Sequence, residues 1–225
     1  MTEIAILGGG PAGAAAAIAL ARAGRRPLVI EREATPREKV CGEFMAADAA
    51  GALERLGLSL PGLGAVPIHR GIFGAGRRSG EMRLPFPAWG LPRARLDAAL
   101  LGAAEAAGAV LRRGVAVAGA EAVLGGWRLR LSDGEEASAR HAVLATGKHE
   151  CRGLPRGAAG GAMGLKLHLA GGVVPDGAVL LLACAGGYAG LQARPEGGMN
   201  LCAALRPGAP GVAAAARDAG AFLAH

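Results

Sequence analysis

The first thirty-one residues constrain this chain more than any other stretch. Ile4-Ala5-Ile6-Leu7 is a short apolar run that stops at glycine, which predicts a buried strand. Gly8-Gly9-Gly10-Pro11-Ala12-Gly13 comes next. Pro11 to Ala23 then predicts a helix: proline suits a first turn, the alanines propagate it, and Gly24 is placed to stop it. Leu28-Val29-Ile30, ending at Glu31, predicts a second buried strand. A strand, a helix and a strand packed so closely in sequence dictate a parallel pair joined by a right-handed crossover.

The glycine loop fits the pattern G-x-G-x-x-G. In that pattern the first glycine permits a tight turn, the second lets backbone approach a pyrophosphate, and the third lets helix pack close to strand. The helix N-terminus adds free N–H groups and the positive end of the helix dipole. Glycine makes up 39 of the 225 residues. At that abundance the bare pattern arises by chance roughly once in such a chain, so its weight comes from context. It follows a predicted strand and opens a predicted helix. Glu31 then stands at the end of the second strand, where a carboxylate can accept from ribose hydroxyls. The same features suit a nicotinamide-binding dehydrogenase, and the plainest alternative is an ordinary strand–turn–helix with a solvated Glu31.

Composition narrows the rest. With 52% apolar residues the chain is not disordered, and with only 3% aromatics its core must be aliphatic. The net charge is +7, and all 25 cations except Lys39, Lys148 and Lys166 are arginines. They are scattered and no nucleic-acid signature accompanies them, so no nucleic-acid partner is expected. Cys41, Cys151, Cys184 and Cys202 lie far apart, without C-x-x-C or metal-ligand spacing, and read as reduced thiols in a cytoplasmic protein with no metal. Ile4–Ala21 is uncharged, but it contains Gly8-Gly9-Gly10-Pro11 and follows Glu3, so no integral membrane segment is expected. The oligomeric state is left open.

Further along, Thr35 to Phe44 predicts a polar loop and Met45 to Leu56 a helix. Pro61 to Pro92 is rich in glycine and proline, with short strand-like pieces at Gly71–Ala75 and Glu81–Leu84. Arg93 to Ala107 predicts a helix closed by Gly108, and Val110–Arg112 a strand. Val115–Val123, Trp127–Leu131 and Glu136–Arg140 predict a three-stranded meander with a turn at Ser132-Asp133-Gly134. Ala142–Ala145 predicts a separate strand ending in Thr146-Gly147. Strands are expected at Leu165–Leu169 and Val179–Ala183, and a hairpin of Tyr188–Ala193 and Met199–Leu205. Val212 to Leu223 predicts a helix.

Four of these segments, in this order, carry a resemblance. Ile4 to Glu31 resembles the FAD-binding unit of the flavoprotein class that contains aromatic hydroxylases, geranylgeranyl reductases and flavin-dependent halogenases. Lys39-Val40-Cys41-Gly42-Glu43 resembles the K-x-C-G-E loop of the geranylgeranyl-reductase branch, which runs beside the flavin. Pro92-Arg93-Ala94-Arg95-Leu96-Asp97-Ala98-Ala99-Leu100 resembles the P-R-x-x-L/F-D-x-x-L helix of the class, and Ala145-Thr146-Gly147 its A-T-G strand end. The resemblance implies an α/β fold: a Rossmann-like FAD-binding domain, with a parallel sheet plus a three-stranded meander, and part of a β-rich substrate domain. The FAD-binding domain is expected at residues 1–62 and 91–152, and the substrate-binding sheet at 63–90 and 153–225.

Carried over, Gly8, Gly10, Pro11, Ala12 and Gly13 would hold the pyrophosphate. Glu31 would bind the adenosine ribose and Arg32 would lie at the adenine end. Cys41 and Gly42 would run beside the flavin, and Arg93 would reach the phosphate–ribityl region. Val117 would present backbone to adenine, and Thr146-Gly147 would pack against the cofactor. The implied cofactors are FAD and, as electron donor, NAD(P)H.

The second half departs from the class. Gly190 and Gln192 stand where reductases carry large aromatics, and the halogenase W-x-W-x-I-P motif is absent. The strand ending in G-D that the class carries further along is not found, which implies a C-terminally truncated member. Lys166 and His168 share one strand face, read as the solvent side in preference to a cavity lining. His69, His141, His149, His168 and His225 form no ligand set, and no catalytic residue is assigned. The expected function is an FAD-dependent, monooxygenase-like oxidoreductase acting on a small organic substrate. The alternatives are a geranylgeranyl-reductase-like C=C reductase and an inactive flavoprotein fragment.

Overall fold

The computed structural model describes residues 1–155, 161–172 and 174–209; the helix expected at Val212–Leu223 lies outside them. In chain order the elements are β1 (Thr2–Leu7), α1 (Pro11–Arg22), β2 (Leu28–Glu31), β3 (Phe44–Met45), α2 (Ala47–Arg55), β4 (Val66–Ala75), β5 (Arg78–Gly90) and α3 (Arg93–Ala106). They continue with β6 (Val110–Arg113), β7 (Val117–Val123), β8 (Gly126–Leu131), β9 (Glu136–Leu144), β10 (Met163–Leu169), β11 (Ala178–Cys184), β12 (Gly187–Ala193) and β13 (Met199–Leu205).

The chain forms two compact units. The first comprises Met1–Arg37, Leu56–Leu58 and Ala94–Ala158; the second comprises Glu38–Arg55, Ser59–Arg93 and Ala159–His225. The division differs from the one expected from sequence at residues 59–62, 91–93 and 153–158 and, over the longest stretch, at 38–55. That stretch clusters with the second unit because β3 pairs with β5.

In the first unit β6, β2, β1 and β9 are parallel neighbours, and β8 and β7 extend the ladder antiparallel. The expected parallel sheet and meander are both present, but they share a strand. Glu136–Ala139 of β9 pairs with β8, and the same strand then pairs with β1 from Ala139 to Leu144. The sequence reading split it at Arg140 and His141, whose side chains interrupt the apolar pattern. Both are exposed, so the backbone ladder runs through them without cost.

Ala5 and Leu7 of β1 and Ile30 of β2 pack with Ala120, Leu129, Leu131 and Ala139 of the meander in one core cluster. Ile4 and Ile6 alternate to the opposite face of β1. Contacts of α1 run to β1 and β2, and it buries Ala14, Ala17, Ile18 and Ala21. Each buried isoleucine contributes roughly 1.5–3 kcal/mol, while the alanines matter by letting the helix come close.

The second unit holds a seven-stranded sheet in the order β10-β13-β12-β11-β4-β5-β3. Every pairing is antiparallel except β11 with β4. β4 and β5 form a hairpin far longer than the short pieces expected from sequence. Pro85 and Pro87 hid it. They fall in a register break between the Ile68–Ala88 and Arg70–Arg83 pairs, where a missing N–H costs no ladder bond. Leu191, Met199, Leu201, Ala203 and Leu205 build the core of one sheet face.

Candidate functional site

In the first unit the site forms at the C-terminal ends of β1, β2 and β9. The chain leaves β1 into Gly8, whose φ of +109° is open chiefly to glycine. A Cβ there would also meet the carbonyl oxygen of Ala145 at 2.5 Å. A Cβ on Gly13 would run into the carbonyl oxygen of Gly8, so the third glycine is what lets α1 start against the strand end. Gly10 differs from both. Its φ of −68° suits any residue, and a Cβ there would meet nothing within 4 Å. Among the described residues nothing requires glycine at this position. Gly10 is the N-cap of α1, no side chain caps the helix, and no acidic residue occupies the first turn. The turn therefore presents backbone amides to open space, a cradle for an anion.

Glu31, 8% exposed, closes the cradle from β2. Its Oε2 accepts from the N–H of Gly9 at 2.6 Å and its Oε1 from the N–H of Glu33 at 3.0 Å. A carboxylate has about four lone-pair positions, so two remain for hydroxyl donors. Arg32 pairs with Glu33 at 3.0 Å, and Arg37 with the same oxygen at 2.7 Å. Leu101 of α3 packs beneath Gly9, where it would limit a Cβ to 3.0 Å.

Thr146 and Gly147 follow β9. The Ala145 N–H donates to Leu7 at 2.9 Å, which sets the turn alongside Gly8. The Thr146 hydroxyl donates to the His149 carbonyl at 2.7 Å, and Gly147 has φ +61°. Val117 opens β7 just before a β-bulge. The neighbouring Val115 N–H donates to the Glu31 carbonyl at 3.2 Å. The register shift leaves Ala118, the residue after Val117, out of the ladder. The first unit thus brings together Gly8, Gly10, Pro11, Ala12, Gly13, Glu31, Arg32, Val117, Thr146 and Gly147. Cys41, Gly42 and Arg93 belong to the second unit.

In that unit the segment 38–43 is fixed to one face of the sheet. Asn200 donates from Nδ2 to the carbonyls of Cys41 at 3.3 Å and Gly42 at 3.1 Å. Gln192, its register partner on β12, donates to the carbonyl of Glu43 at 3.0 Å. Glu43 has φ +60°, an unusual conformation for a residue with a side chain, and its backbone is spoken for on both sides. The Leu91 N–H donates to its carbonyl at 3.0 Å, and its own N–H donates to Cys41 Sγ at 3.4 Å. Its buried carboxylate accepts from the Arg93 N–H at 3.0 Å and from the ammonium of Lys166, which also pairs with Glu38.

Lys166 therefore does not face solvent as the sequence reading preferred: its side chain is 8% exposed, clamped between two carboxylates. Burial alone would depress its pKa, but the hydrogen bonds to Glu38 and Glu43 outweigh that and raise it. Burial pushes Glu38 up, and the Lys166 hydrogen bond and charge more than offset it, leaving the carboxyl below its usual range. His168 stands 3.8 Å from Glu38. Donor atoms of Glu38, Glu43 and His168 lie within 4.8 Å of one another, but the Lys166 ammonium already sits on both carboxylates. From sequence Glu43 is only part of the K-x-C-G-E resemblance and Gln192 only a departure from the class; neither they nor Asn200 is given a role. The trace they leave is a polar residue at paired positions of two otherwise apolar strands.

The family model of the FAD binding domain matches residues 1–152. The chain belongs to this FAD-binding family. Among curated proteins similar to this chain, a menaquinone reductase of Mycobacterium tuberculosis (strain ATCC 25618 / H37Rv) is 35% identical over 157 residues. That match covers 64% of this chain and 37% of the reductase. A squalene monooxygenase of Mus musculus is 34% identical over 87 residues, 38% of this chain and 15% of that protein. The myxobacterial chondrochloren halogenase, an FAD-dependent halogenase, superposes with a TM-score of 0.76 at 23% identity, over 99% of this chain and 56% of that one. At that identity the likeness is one of fold. The chain spans about a third of the curated reductase and about half of the solved structure.

Proposed function

We propose that the first unit binds FAD and that the chain is the FAD-binding and partial substrate-binding portion of an FAD-dependent oxidoreductase. The observation that carries this reading is Gly10. It is a glycine with an ordinary φ and free space around its Cβ position, at the mouth of an uncapped helix. Gly8 and Gly13 are explained by contacts within the chain; Gly10 is explained by a diphosphate that needs the space.

The residues fit the cofactor. The backbone of Gly8, Gly10, Ala12 and Gly13, with Pro11 setting the first turn, would receive the pyrophosphate. Glu31 keeps two acceptor positions for ribose hydroxyls while holding the loop through Gly9. Arg32, Val117 and Thr146-Gly147 would line the remainder. Cys41, Gly42 and Arg93 are assigned as cofactor contacts on the resemblance alone. Bound FAD would supply the electron transfer; the chain positions it and keeps water away. NAD(P)H is the proposed electron donor and a small organic molecule the proposed substrate. The four free thiols suit a reducing setting such as cytoplasm.

A monooxygenase-like reaction is the first reading. The curated menaquinone reductase favours a second, reduction, because it matches this chain over a longer stretch than the monooxygenase does. The test of the common core is flavin binding. Purified protein titrated with FAD should show a shifted, saturable flavin absorption band, and Gly10→Val should abolish it while melting like the parent. A Gly10→Val protein that keeps its flavin overturns the assignment.

A further inference from the structure

Cys41 and Cys202 lie on the same face of the second unit's sheet. On β13 the side chains of Asn200 and Cys202 point the same way, two residues apart. Asn200 holds the carbonyl of Cys41 at 3.3 Å, which puts the Cys41 backbone directly over this strand. Lys166, the register partner of Cys202 on β10, grips the same segment through Glu38 and Glu43. The two thiols are near enough for their charges to interact: after burial, the charge of Cys41 is the next influence raising the pKa of Cys202. Cys41 Sγ accepts the Glu43 N–H at 3.4 Å, which fixes the side chain within segment 38–43. Both thiols are free and half-buried, within reach of a small oxidant. Cys151 is buried, and Cys184 is exposed at the end of β11.

We propose that Cys41 and Cys202 form an oxidisable dithiol, which hydrogen peroxide closes into a disulfide that ties segment 38–43 to β13. The Cys41 thiolate attacks the peroxide; the O–O bond breaks, leaving a sulfenic acid on Cys41 and hydroxide. The Cys202 thiol then attacks that sulfur; the S–S bond forms, the S–O bond breaks, and water leaves. Two thiols lose two electrons and two protons, and one peroxide becomes two waters. The disulfide holds the segment covalently until a thiol reductant reopens it. The proposal does not depend on bound FAD.

The test uses the whole chain carrying Cys184→Ser, which removes the exposed thiol. It is treated with hydrogen peroxide, denatured, alkylated, digested and mapped by mass spectrometry. Free thiols should fall from three to one, with a linked peptide pair containing Cys41 and Cys202 that dithiothreitol separates. Adding Cys202→Ser should remove the link and leave Cys41 reactive to dimedone; if that variant does not fold, the map of the Cys184→Ser protein decides by itself. A link from Cys41 to Cys151, or oxidation of Cys41 to a sulfinic acid without a link, overturns the proposal. So does survival of both thiols. Flavin content measured on the same samples is an independent reading: a link formed in protein that never binds FAD upholds the dithiol and removes the FAD assignment.

Discussion

At the residue scale the glycine loop separates two demands that one pattern conceals. Gly13 answers to the fold. Gly13→Ala forces a Cβ toward the Gly8 carbonyl, and an overpacked contact of this kind costs about 1–3 kcal/mol. Urea unfolding should report that loss with or without flavin. On the proposed reading Gly10 answers to the ligand, so its substitution should move flavin content and leave stability alone. Glu31 answers to both. Glu31→Ala strands the buried Gly9 N–H, a loss of about 1–3 kcal/mol, and also removes the proposed ribose acceptor. The expected outcome is a lower unfolding midpoint together with weaker FAD binding, measured by denaturation and by flavin titration.

At the element scale segment 38–43 is held by the sheet it crosses. Two amides on paired strands take three consecutive carbonyls, and the Lys166 ammonium takes the acids at Glu38 and Glu43. Lys166→Met leaves the buried Glu43 carboxylate without its cation, a loss on the order of 3 kcal/mol in the melting of the second unit. The pH dependence has a definite sign. Glu38 titrates below its ordinary 4.5 in the folded chain, so its contribution is complete above pH 4.5 and fades as pH falls through the lower folded value. Lys166 titrates above its ordinary 10.5, so its contribution is complete below pH 10.5 and fades as pH rises through the higher folded value. The stability difference between parent and Lys166→Met should therefore be flat between these limits and shrink outside them. A difference that grows on acidification would show that the clamp is not an ion pair.

At the scale of the whole molecule the proposed function comes in two versions, oxygenation and reduction. Its sequence matches both a reductase and a monooxygenase, and Gly190 and Gln192 replace the aromatics expected of prenyl reduction. Under air with NADPH and a substrate, the monooxygenase-like reading predicts substrate-dependent oxygen uptake. A saturated product formed anaerobically, with no oxygen consumed, would instead establish the reductive reading. Product analysis with an oxygen electrode distinguishes them.

Strand, glycine turn, helix and acid were legible at residues 4–31 because each is a local device. Periodicity, a proline and the absence of a Cβ act over a few residues, and the step that brings the acid to the turn, from Gly9 to Glu31, spans 22 residues. The double role of β9, the β4–β5 hairpin through its prolines, and the partners of Lys166 were decided by tertiary structure. They depend on backbone ladders and on contacts between residues 123 to 159 positions apart. Nothing in a local pattern says which distant carboxylate will desolvate beside a lysine. That outcome depends on which strands become neighbours, and only the folded chain sets that order.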